Sequence, residues 1–153
     1  MRLIANLMLA AWPMEPVQAD ALDLVDATNP VTVVSAVREV LRKATLDTPP
    51  DEDPVIEARI DDANFAIFFY ECDTPAGCLS IQFRSSYDQD RAVDDLILRW
   101  NADKRFGRAF ATKTGIAVAY DVNLRHGVSR ENLVDSVELW VTILRDFHDH
   151  IDW

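Results

Sequence analysis

Apolar residues change period several times along this chain, and each change marks an element. Between Asn29 and Ala44, the residues Val33, Val37, Val40, Leu41 and Ala44 recur at helical spacing, with Arg38, Glu39, Arg42 and Lys43 on the other side. Asn29 offers an N-cap oxygen, and Pro30 fits the first helical position, where a missing N–H is harmless. Thr48-Pro49-Pro50 stops this helix, and Asp51-Glu52-Asp53-Pro54 continues as an acidic loop. The period then falls to two. In Val55 to Ile60, Ile56, Ala58 and Ile60 alternate with Glu57 and Arg59, as in a strand wetted on one face. Asp61-Asp62-Ala63-Asn64 makes a turn. Phe65 to Cys72 is apolar on both faces, which suits a central strand, and Cys78 to Arg84 alternates again with Leu79, Ile81 and Phe83 inward and Ser80, Gln82 and Arg84 outward.

Ser86 and Gln89 form a capping-box pattern ahead of a second helix, whose stripe is Val93, Leu96, Ile97 and Trp100 and which ends near Lys104 with Gly107 just beyond. Arg108 to Lys113 is expected as a fourth strand, Thr114-Gly115 as a turn and Ile116 to Leu124 as a fifth. In that strand Ile116, Val118, Tyr120, Val122 and Leu124 share one face, and Ala117, Ala119, Asp121 and Asn123 the other. Gly127 marks a turn, and Ser129 caps a last helix with Glu131 near its positive end. Leu133, Val137, Trp140, Leu144, Phe147 and Ile151 then form a continuous stripe, under three heptads long and so a core face more than a coiled coil. The order α-β-β-β-α-β-β-α predicts an α+β fold: an antiparallel five-stranded sheet with helices packed on one face. The opposite face is polar or small-residued, and part of it is available to a second subunit.

The N-terminus differs from the rest. Arg2 precedes an apolar run from Leu3 to Trp12 broken only by Asn6, and Pro13-Met14-Glu15-Pro16 and Val17-Gln18-Ala19 follow. A positive start, a short apolar segment and small residues make the pattern of an export signal, too short to span a bilayer. Residues 1–19 are expected to be a signal peptide cleaved after Ala19, with Ala21 the second choice, leaving one domain over 20–153. The expected location is then periplasmic or secreted; the alternative is a cytoplasmic protein with an ordinary N-terminal helix. Cleavage removes one positive residue, Arg2, and one negative, Glu15, so the net charge stays at −11. Cys72 and Cys78 flank five residues at the mouth of a hairpin, within disulfide reach, and an exported chain would oxidise them. A pair of reduced thiols is the alternative if the leader is not a signal.

Charge excludes some functions. At −11, with no Lys/Arg cluster, a nucleic-acid partner is not expected, nor is an anionic membrane surface once the leader is gone. Catalysis lacks a recognisable set of residues. There is no Gly-x-Ser-x-Gly elbow, and four glycines, each placed for a turn, leave no phosphate-binding loop. Cys-x5-Cys is not the redox spacing, no Cys/His partner completes a zinc site, and Asp51-Glu52-Asp53 lacks the calcium-loop spacing. His148 and His150, two apart on a helix, point in different directions and make no chelate. No catalytic residue, metal or cofactor is therefore expected.

Cys78-Leu79-Ser80-Ile81-Gln82-Phe83, Trp100-Asn101 followed by Arg105-Phe106-Gly107-Arg108-Ala109, Tyr120-Asp121, and Gly127-Val128-Ser129 before the helix with Trp140 together resemble a YbjN-family domain, over roughly residues 29–148. The resemblance implies a fold similar to that of the secretion chaperones, which are dimers that bind extended client segments. It also implies the family's label of sensory transduction regulator, which names no chemistry; an export signal departs from cytosolic members. The expected function is an exported protein-binding or chaperone-like module without catalysis, with an unidentified protein partner, as a homodimer or linked to envelope stress. The alternative is a small-ligand or anion sensor. Candidate binding residues are Asn101, Arg105, Arg108 and Asp121, with the two arginines placed to pair with Asp121 or to hold a carboxylate.

Overall fold

The computed structural model describes residues 23–72, 77–89 and 92–153. The expected signal peptide and both cleavage positions lie outside the described residues. The elements run β1 (Leu24–Val25), α1 (Pro30–Val40), β2 (Thr45–Asp47), β3 (Val55–Ile60), β4 (Ala63–Tyr70), β5 (Ser80–Asp88), α2 (Asp94–Asp103), β6 (Arg108–Ala111), β7 (Gly115–Asn123), β8 (Val128–Ser129) and α3 (Arg130–Ile151). The class is α+β, with every strand pair antiparallel.

The main sheet has six strands in the order β2-β3-β4-β5-β7-β6, not the five expected. The additional strand is β2. It holds three residues with one apolar position, Leu46, too few to show alternation in sequence, and the prolines after it read as loop. A second, two-stranded sheet of β1 and β8 was equally unpredicted, because two-residue strands carry no period. The capping-box reading at Ser86 is also corrected. Ser86 lies inside β5, and α2 begins at Asp94 with Val93 as an N-cap that gives no side-chain bond. The polar pair Ser85-Ser86 hides a strand that alternates on to Tyr87: Ser85 faces inward, buried, and its hydroxyl donates to the Asn64 carbonyl at 2.8 Å.

Elsewhere local chemistry acts as expected. The Asn29 side chain accepts from the Val31 N–H at 3.2 Å, with Pro30 at the helix start, and Ser129 accepts from the Asn132 N–H at 3.2 Å. The whole α3 stripe, Leu133 to Ile151, is buried. Its Trp140 ring lies 5.6 Å from Phe65 and 5.7 Å from Phe83, and Phe147 lies 5.8 Å from Tyr87. α3 thus crosses the inner face of the sheet, with α1 against it near β2 and α2 against it near β6. Arg130 at the head of α3 ties in the first elements, with ion pairs to Asp23 at 2.7 Å and Glu39 at 2.9 Å. At the mouth of the β4–β5 hairpin, Cys72 and Cys78 sit with their Sγ atoms at disulfide distance, 2.11 Å.

Candidate functional site

Among the described residues no helix covers the other face of the main sheet, and strand register fixes what it displays. One row across the strands reads Thr45, Glu57, Ala66, Arg84, Ala119, Arg108. The next towards the cysteines reads Asp47, Val55, Phe68, Gln82, Asp121; on the opposite side Arg59 pairs with Asn64, and Ser86, Ala117 and Phe110 line up across β5, β7 and β6. Aromatic rings therefore stand on a face whose middle is floored by alanines. Tyr70, one row beyond Phe68, is 41% exposed.

Ala117 and Ala119 are 0% and 1% exposed although no helix among the described residues covers them. Long side chains from neighbouring strands lie over them. The Arg84 guanidinium stands 5.1 Å from the centre of the Phe110 ring and the Arg108 guanidinium 4.7 Å from it, so one ring takes two cations. Methyl side chains on β7 are what let Arg84 cross from β5 to reach Phe110. Gln82 is likewise nearly buried, at 8%, and its amide donates to Asp121 at 2.7 Å. Beside Arg84, a hollow of about 840 Å³ runs over Ala66 and Phe68 to Lys43 and Thr45 at the β2 edge.

The four residues singled out from sequence do not converge on a pocket. Asn101 is occupied by the backbone: its amide donates to the Ala109 carbonyl at 3.0 Å and accepts from the Ala109 N–H at 2.9 Å. It stands in for a strand at the free edge of β6. Arg105 lies over Phe106 at 5.1 Å, and Phe106 meets Tyr120 edge-on at 6.2 Å, which anchors the connector. Between them and β6, Gly107 adopts φ 80°, and a Cβ there would stand 2.7 Å from Ile143. Its carbonyl accepts from the buried Trp100 indole at 2.8 Å. Arg108 and Asp121 do share the open face, on adjacent rows, but Asp121 bonds Gln82 and Arg108 stacks on Phe110.

Arg84, Phe110, Phe68 and Tyr70 were not among the sequence candidates. Alternation put Arg84 on the outward face, and the alanines of β7 were visible as small. The cluster itself needs the register that sets β6 beside β7 and β7 beside β5.

At the far end of the inner face, the Tyr87 hydroxyl lies 2.6 Å from His148 Nε2. Burial pushes the Tyr87 phenol up to about 12, so it donates. Burial also lowers the His148 pKa, against the pull of Asp149 and Asp61, so the neutral imidazole that accepts is favoured. Among the described residues, no group of three or more His, Cys, Asp or Glu is placed to hold a metal, and no helix is long and apolar enough to cross a membrane.

The YbjN family model, described as "Putative bacterial sensory transduction regulator", matches residues 34–153, from within α1 to beyond the end of α3. No curated protein matches the chain. The match takes in the whole main sheet, its uncovered face and the helices behind it, and the chain belongs to the YbjN family.

Proposed function

We propose that this protein is an exported regulatory module that works by binding another protein on the uncovered face of its six-stranded sheet, without catalysing a reaction. The observation that carries the reading is the contrast between the two faces. One is sealed by α3 with its neighbours, while the other presents Phe68, Tyr70 and Phe110 with no helix over them among the described residues. An exposed Tyr70 and the half-buried Phe68 and Phe110, beside arginines on a small-residued floor, suit a protein partner, because such side chains give large contact area for little lost freedom. The family's regulatory description agrees with action through a partner.

Export is part of the proposal. It is supported by the residues 2–19 pattern and by the placement of Cys72 and Cys78, which an oxidising compartment would join. A homodimer through the same face is the form this reading takes when the partner is a second copy. The test compares wild-type protein with a Phe68→Glu/Phe110→Glu variant in pull-downs from envelope extract of the native host. A partner kept by the wild type and lost by the variant, with an unchanged melting temperature, supports the reading. Equal retention by both proteins would place the partner surface elsewhere.

A further inference from the structure

The open face carries an unbalanced charge arrangement in a chain otherwise rich in acids. Acidic residues outnumber Lys and Arg by 26 to 15, so a cation on this surface has an excess of carboxylates to choose from. Arg84 and Arg108 nevertheless flank the same residue, Ala119, on adjacent strands, and neither pairs with a carboxylate among the described residues. Asp121, the acid one row away on β7, is taken by the Gln82 amide. By contrast Arg59, on the same face, is held by the Asp61 carbonyl at 2.9 Å and the Asp62 carboxylate at 3.0 Å.

Sharing one ring puts the two like charges within about 10 Å of each other, where they repel, and contact with Phe110 holds both guanidinium groups near it. A planar guanidinium so held keeps its N–H fork free, and that fork matches a carboxylate in two-point contact. We infer that Arg84 and Arg108 form a clamp for a carboxylate side chain of an extended acidic segment in the partner protein. The inference rests on the proposed protein-binding role of this face and names the chemistry of that partner.

The surroundings constrain the segment further. The hollow leads from Arg84 over Ala66 and the half-buried Phe68 to Lys43 at the β2 edge. Lys43 is exposed and also has no carboxylate partner among the described residues. Glu57 lies between the two cationic ends and repels an acid placed over it. From Arg84 to Thr45 is three strand spacings, about 14 Å, which an extended chain covers in about four residues. The matching segment therefore carries an acid at each end of about five residues, with uncharged, partly apolar residues between.

The probe is a capped five-residue peptide with glutamate at each end and Val-Thr-Val between, titrated into the ¹⁵N-labelled chain and followed by NMR. Its counterpart has glutamine at both ends. The glutamate peptide should shift the Arg84 and Arg108 side-chain signals and the amides around Ala66 and Ala119. Its affinity should fall by about tenfold or more with the glutamine peptide or in the Arg84→Gln/Arg108→Gln variant. An Arg84→Lys/Arg108→Lys variant keeps the charge but not the fork, and should bind with intermediate affinity. No binding of the glutamate peptide at millimolar concentration, or binding away from this face, overturns the clamp. If both peptides bind the face equally, the clamp is wrong while the open-face reading stands. If neither binds and the native partner survives the Phe68→Glu/Phe110→Glu change, both are wrong.

Discussion

Single side chains in this protein settle questions of edge, strain and protonation. Asn101 satisfies both backbone groups of Ala109 at the outer edge of β6, so Asn101→Ala should cost about 1 kcal/mol in urea denaturation. Asn101→Asp should recover little of it, since a carboxylate accepts from the Ala109 N–H but faces the Ala109 carbonyl without a donor. The same residue shows what a sequence can and cannot convey. In the sequence Asn101 stands out only as a candidate binding residue after Trp100. Only the fold of the connector through Gly107 back to β6 shows which backbone it meets. His148 gives a pH dependence with a definite sign. Its pKa is lowered in the fold, chiefly by burial, so the unfolded chain binds the proton more readily. The stability it contributes is complete above its ordinary value of about 6.5 and is lost as pH falls from there through the lower folded value. Urea midpoints from about pH 8 to 5 should therefore fall less in His148→Gln than in the wild type. An equal fall would mean that the Tyr87–His148 contact does not favour the neutral ring.

At the scale of elements, long patterns were legible and short ones were not. The α3 stripe, the Asn29-Pro30 start of α1 and the two faces of β7 followed directly from spacing, because each repeats its period several times. β2 and the β1–β8 pair could not be read, since their pairing comes from the partner strand and not from their own residues. β5 was cut short in sequence because Ser85 is a polar residue on a buried face, tolerated through its bond to the Asn64 carbonyl. The β4–β5 hairpin invites a test at this scale. Closing Cys72 to Cys78 makes a short covalent loop, so the Cys72→Ser/Cys78→Ser variant should lose about 2 kcal/mol of stability. Its far-ultraviolet circular dichroism should stay unchanged, because Tyr70↔Ser80 and the pairs beyond it hold the register without the bridge. If a reductant leaves the wild-type melting temperature where it was, the bond contributes nothing to the fold.

The described residues form a main sheet with one face committed to the core and the other without a helix of theirs over it. The sequence carried that division in outline: outward positions of β5 and β7 were visibly polar or small, and part of that face was open to another subunit. What alternation could not supply was the side-to-side arrangement, in which Phe110 meets arginines from two strands and the hollow opens beside one of them. A partner bound here is engaged by side chains standing off the sheet, and the β6 edge behind Asn101 stays closed to strand addition.

Site-specific photo-cross-linking in the native host addresses that division most directly. A photoreactive residue would replace Phe68 or Ser86 on the uncovered face in one set of strains, and the exposed Glu138 or Asp135 on α3 in another. A discrete adduct is expected from the sheet positions and none from the helix positions. An adduct confined to α3, with the sheet positions silent, would mean that the partner binds the helix side and not the sheet face.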